Sequence, residues 1–136
     1  MHNRVRMIAA SVLTKHLLVD WRVGARHFLR WLVDADVANN AANWQWVAGR
    51  GADTRPNRLF NPIRQARKLD PAGSYVRRYV PELAGLDDRD LHEPWRLGPL
   101  ERATIDYPEP IIDLETTTQR FRQMVEETRS EPPPPR

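Results

Sequence analysis

Apolar residues recur at helical spacing along the first third of the chain. One run predicts a helix from about Asn3 to Leu18 and consists of Val5, Ile8, Ala9, Val12, Leu13 and Leu17. A second run predicts a helix from about Gly24 and consists of Phe28, Leu29, Leu32 and Val33. Asp36 is a residue type that caps helix N-termini, so we expect a third helix to follow it and to run to about Ala48.

The rest of the chain combines turn residues with shorter helical patterns. Gly, Asp and Pro predict a loop over residues 49–56, and residues 81–110 have the composition of extended turns. Asp70-Pro71 is expected to open a helix, because proline is favoured in the first helical turn. The helices predicted in this part of the chain are Pro62 to Lys68, Ala72 to Tyr79 and a polar helix from about Ile112 to Ser130, which precedes a solvated tail at Pro132 to Pro135. The sequence shows no repeat and no convincing strand, so the predicted fold class is mostly α.

Composition narrows the class of protein further. With 136 residues, 40% hydrophobic and 29% charged, the chain is one domain at most. It has no cysteine, which excludes disulfides and thiolate metal sites, and its four histidines show no ligand spacing, so no metal is expected. No stretch approaches the roughly 18 apolar residues of a membrane span, and no secretory signal pattern opens the chain. A soluble, cytoplasmic protein without a membrane partner is therefore expected.

Charge is distributed unevenly along the chain. Residues 1–80 hold 14 Lys and Arg against 5 Asp and Glu, whereas residues 81–136 hold 7 against 13, and the net charge is +3. The basic stretch is a candidate surface for a polyanion such as nucleic acid. The alternative is an ordinary solvated surface, since arginines are common there.

Carboxylates, amides and indoles are concentrated in residues 34–46. Asp34-Ala35-Asp36 is followed by Asn39-Asn40-Ala41-Ala42-Asn43-Trp44-Gln45-Trp46. Carboxylates and amides can read the hydrogen-bonding edge of a heterocycle, while indoles stack on flat rings or carry an electron. The segment therefore suits a cofactor and a base. From the residues alone, a helix cap for the aspartates and core packing for the tryptophans remain the alternatives.

Six sequence blocks occur in the same order as in a known protein family. The blocks are Met1 to Met7, Leu18 to Arg22, Asp34 to Asp36, Asn43 to Trp46, Arg58 to Pro62 and Tyr79 to Leu83. From Met1 to about Asp113 the chain closely resembles the C-terminal part of the FAD-binding domain of the photolyase and cryptochrome family. Residues 1–113 are thus expected to belong to that all-helical domain, without a sheet, and residues 114–136 to form a polar helix and a Pro-rich tail. Because Met7 and Trp44-Gln45-Trp46 stand where bacterial class I cyclobutane-dimer photolyases contact the flipped lesion, the resemblance is to that class.

The resemblance implies FAD as the cofactor. The residues implied to bind it are Arg6, Asp34, Asp36 and Asn40, with Asn40 facing flavin N5 and stabilising the reduced flavin. Trp44 and Trp21 match the inner two members of a tryptophan chain that carries electrons to photo-excited flavin. In the family's reaction, light-excited reduced flavin donates an electron to the dimer, the cyclobutane ring splits and the electron returns.

The implied partner is DNA that contains pyrimidine dimers. Such a lesion must be extruded from the duplex, and a poorly stacked pair costs least to flip. The residues implied to contact the lesion and the nearby backbone are Asn3, Arg4, Met7 and Trp46. A phosphate-binding face is expected from Arg58, Arg64, Arg67 and Lys68, with Arg64 and Lys68 one helical turn apart.

Family members are several times longer than this sequence. The antenna chromophore domain and the helices that hold the flavin phosphates have no counterpart in it. We therefore expect a truncated gene product, a split-gene half or a fragment that is inactive alone, that needs the missing N-terminal half for full FAD binding, and that acts near the bacterial nucleoid. The alternatives are a cryptochrome-like blue-light photoreceptor, which would not need Met7, Trp46 and the basic face, and an inactive DNA-binding remnant.

Overall fold

Helices are the regular structure of this protein. The structure is a computed structural model that describes residues 1–53 and 57–130, and within these ranges it contains no strand. The mostly α fold class is thus confirmed. The helices are α1 (Asn3–Ser11), α2 (Trp21–Trp31), α3 (Val37–Val47), α4 (Pro62–Leu69), α5 (Ser74–Tyr79), α6 (Pro99–Arg102) and α7 (Leu114–Ser130), with a π-helical segment at Val12–His16 and 3₁₀ turns at Pro81–Leu83 and Pro94–Arg96.

The chain forms two compact units. The first unit contains Met1–Phe60 together with the stretch that begins at Ile112, and the second unit is Asn61–Ile111. The sequence boundary at residue 113 stays a prediction. The predicted tail at Pro132 to Pro135 lies outside the described residues, as does the end of the predicted loop 49–56.

The first predicted helix is confirmed but changes its geometry midway. α1 starts after His2, whose ring Nδ1 accepts a hydrogen bond from the backbone N–H of Arg4 at 3.1 Å. The wider π-helical segment Val12–His16 then continues the chain. The predicted end at Leu18 is wrong by two residues, because the backbone of Leu18 has a φ of 54°, which a helix cannot accommodate.

The bounds of α2 differ from those predicted. The helix begins at Trp21 rather than Gly24, because the carboxylate of Asp20 caps it by accepting the Arg22 N–H at 2.8 Å. It ends at Trp31, and the extended backbone of Leu32 takes the chain out of the helix. Leu32 and Val33 were therefore wrongly assigned to it.

Helix α3 is confirmed with its predicted cap. The Asp36 carboxylate accepts the Asn39 N–H at 2.6 Å, and the helix runs from Val37 to Val47. Its buried residues join those of α1 and α2 in one core. The core consists of Ala10, Ala25, Trp44 and Val47, packed against the partly buried Leu13, Trp21, Phe28 and Trp46.

Gly24 allows α2 and α3 to approach closely. A Cβ atom at this position would lie 2.1 Å from Cη2 of Trp44, which is less than any real contact. The large indole of Trp44 therefore fits its buried position only because residue 24 has no side chain.

In the second unit, α4 is confirmed and is capped by Asn61, whose side chain accepts the Arg64 N–H at 2.9 Å. Helix α5 begins at Ser74 rather than Ala72, because Gly73 is left-handed with a φ of 66°. Asp70 still contributes, since its carboxylate accepts the Tyr75 N–H at 3.0 Å. Residues 81–110 are more ordered than the extended turns predicted, with two 3₁₀ turns and α6 around the buried Leu83 and Leu91.

Helix α7 belongs to the first unit. The Asp113 carboxylate accepts the Thr116 N–H at 2.7 Å and so caps the helix, which begins at Leu114, two residues after the predicted start. Phe121 is buried, and the Thr117 hydroxyl lies 2.8 Å from Nδ1 of His16 in the π-helical segment. The polar helix is thus docked by one aromatic residue and one hydrogen bond. None of the helices in the described part of the chain is long and apolar enough to cross a membrane.

Candidate functional site

A cleft of about 150 Å³ opens in the first unit between α1, α2 and α3. Seven residues that the sequence singled out line it: Asn3, Arg6, Met7, Asp34, Asp36, Asn40 and Trp44. The predicted flavin contacts and two of the predicted lesion contacts therefore share one cleft. Trp21, Arg4 and Trp46 do not line it.

Arg6 and Asp34 form an ion pair across the cleft. Nη2 of Arg6 lies 2.9 Å from Oδ1 and 2.8 Å from Oδ2 of the carboxylate, and Nε donates to the Met1 carbonyl at 2.9 Å. The hydrogen bond from Arg6 lowers the pKa of Asp34 below its usual value. The carboxylate is thus held ionised and oriented, in a form that can accept an N–H from a ligand.

Asp36 has a structural role that the sequence had left as an alternative. Its Oδ1 caps α3 through the Asn39 N–H, and the side chain lines the cleft as well. Asp34 makes the ion pair to Arg6 instead. The two carboxylates are therefore fixed by different partners.

The amide of Asn40 is oriented by the main chain of α2. One N–H of its Nδ2 donates to the Ala25 carbonyl at 2.8 Å, which fixes the amide so that its oxygen can accept from a ligand. An acceptor at this place suits a ring N–H. The prediction that Asn40 faces flavin N5 is compatible with this orientation and stays a prediction.

Asn39, Asn43, Phe28 and Leu32 also line the cleft. The sequence included Asn39 and Asn43 in the segment that suits a cofactor, but it gave none of the four an individual role. Asn43 donates from Nδ2 to the Asn39 carbonyl at 2.7 Å. The signal was available for α3, because positions 36, 39, 40, 43 and 44 follow the spacing of one helix face. Phe28 and Leu32 gave no such signal, since they read only as core residues.

Trp44 and Trp21 differ in their surroundings. Trp44 is buried, and its ring meets that of Phe28 edge to face at a centroid distance of 5.1 Å. Trp21 is partly buried at the edge of the same core, with the Arg22 guanidinium 5.0 Å from its ring centroid. Both indoles thus belong to one cluster, while their predicted adjacency in an electron chain stays a prediction.

A second group of predicted residues forms a stack of alternating cations and rings. The Arg4 guanidinium lies 5.8 Å from the Phe60 ring centroid, and that of Arg58 lies 5.1 Å from Phe60 and 5.5 Å from Trp46. We name these four residues the cation–aromatic stack. Both arginines are exposed, so the stack presents two positioned cations beside an indole. Phe60 was not singled out in the sequence, because a single phenylalanine reads as core.

The predicted phosphate face is divided between the two units. Arg58 lies in the first unit, whereas Arg64, Arg67 and Lys68 are exposed on α4 of the second. Arg67 is ion-paired with the buried carboxylate of Glu93. That pairing reduces the positive charge that Arg67 can offer to a phosphate.

Lys15 and His16 are buried ionisable residues that the sequence reasoning missed. Nζ of Lys15 donates to the Arg58 carbonyl at 2.8 Å, and burial lowers the pKa of this lysine from 10.5 to about 8. Burial also lowers the pKa of His16. Residue type concealed them, because lysine is rarely buried, although Lys15 and His16 follow Val12 by three and four residues. In the described part of the chain, no group of three possible metal ligands is present.

Comparison with known proteins identifies the family. The sequence profile described as "FAD binding domain of DNA photolyase" matches residues 1–127. A deoxyribodipyrimidine photo-lyase of Streptomyces griseus is 60% identical over 123 residues, which are 90% of this chain and 27% of the relative. The chain thus spans about a quarter of the length of such relatives.

Solved structures match the fold over nearly the whole chain. A bacterial class III photolyase from Agrobacterium tumefaciens has a TM-score of 0.86 and 49% identity, covering 96% of this chain and 29% of its own. A cryptochrome from Synechocystis has a TM-score of 0.84 and 39% identity, covering 90% of this chain and 27% of its own. The resemblance to the photolyase and cryptochrome family is confirmed.

Proposed function

The chain belongs to the family of FAD-binding domains of DNA photolyase, and from that premise we propose that it is part of a deoxyribodipyrimidine photolyase that repairs cyclobutane pyrimidine dimers in light. One observation carries the proposal. The cleft of the first unit brings the expected flavin contacts together with Asn3 and Met7, the expected lesion contacts. A cofactor and a substrate that exchange an electron must lie close together, and this cleft offers both sets of side chains.

The residues of the cleft fit a flavin. Asp34, held ionised by Arg6, provides oxygens for ring N–H groups, and Asn40 provides an amide oxygen whose orientation the Ala25 carbonyl fixes. Asp36 adds a carboxylate at the start of α3. A bound flavin supplies light-driven one-electron chemistry, and these side chains hold it and set the charge around it. We infer that full binding also needs the phosphate-holding part found in longer relatives.

The lesion is expected to meet two groups of residues. Met7 and Asn3 are in contact through a 3.9 Å hydrogen bond from Asn3 Nδ2 to the sulfur, and Met7 can pack on an extruded base. Trp46 and Arg4 belong to the cation–aromatic stack, which suits a base and its neighbouring phosphate. These assignments agree in chemistry with a flipped pyrimidine dimer.

The proposal also assigns residues to electron delivery and to binding of the DNA backbone. Trp44 and Trp21 are readily oxidised indoles in one cluster, and we assign them to electron delivery toward the cleft. The cations Arg58, Arg64 and Lys68 would bind phosphates, with a smaller part for the paired Arg67.

We propose class I as the photolyase class of this chain. Met7 and Trp44-Gln45-Trp46 support class I, although a class III structure is similar at 49% identity. We further propose that the chain corresponds to the C-terminal part of the domain and acts in the cytoplasm on nucleoid DNA. A light-sensing role is the second candidate, because a cryptochrome matches with a TM-score of 0.84.

A chimera tests the proposed function. The 123 matched residues of this chain would replace their counterparts in the Streptomyces griseus photo-lyase. We expect the purified chimera to retain flavin and to repair dimer-containing oligonucleotides under blue light, as measured by loss of the dimer on chromatography. Met7→Ala and Trp46→Ala should reduce repair, and Arg129→Gln near the end of α7 is the control. A folded, flavin-loaded chimera that repairs nothing would contradict the repair assignment and favour light sensing.

A further inference from the structure

Two buried side chains hold the segment that carries Arg58 and Phe60. Nζ of Lys15 donates to the Arg58 carbonyl at 2.8 Å, and Oγ of Ser11 accepts the Phe60 N–H at 3.1 Å. Lys15 is 3% exposed and Ser11 is fully buried. Both bonds come from one turn of the chain, across the junction of α1 with the π-helical segment. They fix the main chain on either side of Leu59.

The main chain fixed in this way determines the cation–aromatic stack. The Arg58 guanidinium can lie 5.5 Å from the Trp46 ring centroid and 5.1 Å from that of Phe60 only if its backbone keeps its place. Phe60 in turn supports Arg4 at 5.8 Å. A shift of the Arg58 carbonyl would therefore move both cations relative to the indole.

We propose that Lys15 is a positioning residue for the cation–aromatic stack. By binding the main-chain oxygen of Arg58, it keeps the Arg58 guanidinium in place beside the Trp46 ring. Burying an ammonium group is costly, and an apolar side chain of similar length would fill the space without that cost. A lysine here contributes the bond that it donates to the Arg58 carbonyl and an electrostatic attraction to the Asp53 carboxylate. The identity of the ligand, DNA with a pyrimidine dimer, rests on the proposed function, whereas the positioning of the stack does not.

A purely structural role for Lys15 is the competing explanation. Its Nζ also lies 5.7 Å from the ring centroid of Phe121, so the residue contacts α7 as well as the Arg58 segment. The next residue provides a matched control. His16 bonds to Thr117 of α7 at the same distance of 2.8 Å, from the same π-helical segment, but not to the stack.

The experiment compares Lys15→Met, Lys15→Arg, Ser11→Ala and Thr117→Val in this chain. The first readout is the indole N–H signal of Trp46 in ¹H–¹⁵N spectra, assigned among the five tryptophans by Trp46→Phe. The second, measured with the same substitutions in the chimera, is affinity for a single-stranded oligonucleotide with one thymine dimer, relative to the undamaged oligonucleotide.

Lys15→Met is expected to move the Trp46 signal and to weaken dimer binding about tenfold, as small misplacements of binding groups do. Lys15→Arg keeps a hydrogen-bond donor for the Arg58 carbonyl, so both the Trp46 signal and the dimer affinity should stay close to those of the unaltered protein. Thr117→Val should lower stability but leave the Trp46 signal and the binding in place. If Lys15→Met and Thr117→Val lower stability alike and neither moves the Trp46 signal, Lys15 is merely structural and the proposal is wrong.

The two readouts test different claims: the affinity tests the proposed function, and the Trp46 signal tests the positioning role of Lys15. If the unaltered chimera does not distinguish the dimer oligonucleotide, the proposed function is contradicted, while the Trp46 signal of this chain still tests the positioning role. Should Lys15→Met fail to fold, Ser11→Ala tests the same segment through Phe60. An unmoved Trp46 signal in folded Ser11→Ala would then overturn the proposal.

Discussion

The two units present their positive charges in contrasting ways. In the first unit, Arg4 and Arg58 lie against aromatic rings, and a buried lysine holds the backbone of Arg58. In the second unit, Arg64 and Lys68 are exposed on one helix, while Arg67 is paired with Glu93. Contact with an aromatic ring orients a cation, which can then position a ligand, whereas cations on a helix surface attract a polyanion by their charge. The basic residues counted in the sequence therefore do not form one uniform surface.

The largest expected effect concerns the buried cation that holds the first unit's stack. Because burial lowers the pKa of Lys15 from 10.5 to about 8, the unfolded chain binds more protons between these values, and stability should rise with pH. The folded chain is destabilised by the buried charge of Lys15. This destabilisation is fully present below pH 8 and disappears as pH rises through 10.5. It corresponds to roughly 3 kcal/mol.

Urea unfolding at several pH values measures this effect. The free energy of unfolding of the wild type minus that of Lys15→Met should increase from pH 8 to pH 10.5. Subtracting the variant removes the contributions of all groups that the two proteins share. A difference that does not change with pH would mean that Lys15 is solvated, and the contrast between the units would disappear.

A glycine substitution in each unit compares their packing. Gly24→Ala should destabilise the first unit by about 2 kcal/mol, since the new Cβ atom would overlap the Trp44 ring. Gly85→Ala in the second unit meets nothing within 4 Å and should change stability by less than about 0.5 kcal/mol. Thermal unfolding measures both. Equal effects would indicate that Trp44 does not occupy its close contact with α2.

The two indoles in the first unit should have separate roles in the chimera described above. Trp44→Phe is expected to block light-driven reduction of bound flavin while leaving repair by chemically reduced enzyme nearly unchanged, because we assign electron delivery to this buried indole. Trp46→Ala should weaken dimer binding by about 1 to 3 kcal/mol through lost stacking and preserve photoreduction. Absorbance and binding measurements separate the two, and damage to the same step by both changes would refute this division.

The smallest expected effects are those of the exposed cations. Arg64→Gln with Lys68→Gln should flatten the dependence of the logarithm of DNA affinity on that of salt concentration by about one unit per lost phosphate contact. Arg67→Gln should change it by less, because Glu93, which also pairs with Arg96, partly offsets the charge of this arginine. Filter binding at several salt concentrations provides the slopes. An unchanged slope in the double variant would place the phosphate contacts elsewhere.

Local rules predicted much of this fold from the sequence. Helical spacing and the Asp36 cap gave α3 within a residue, and the proline at the start of α4 gave that helix nearly to its end. Residue type and family resemblance also singled out seven of the residues that line the cleft. These residues could be identified without a structure, because the groups that a cofactor can contact, such as carboxylates and amides, are known from residue type alone.

Features that depend on long-range contacts were not predictable in the same way. The bond from Lys15 to the Arg58 carbonyl joins residues 43 positions apart, and no local pattern anticipates it. The pairing of Arg67 with Glu93 likewise spans 26 positions. The π-helical segment, which buries Lys15 and His16, departs from the regular period on which helix prediction rests.

Flavin retention by the chimera tests the central claim that the cleft of the first unit holds the cofactor. The account predicts that the unaltered chimera purifies with about one flavin per chain, as measured by absorbance after gel filtration, and that Arg6→Gln combined with Asp34→Asn loses most of it. Arg67→Gln in the second unit should retain the flavin. If the Arg6 and Asp34 double variant folds and keeps its flavin in full, the cofactor does not depend on this cleft and the account is contradicted.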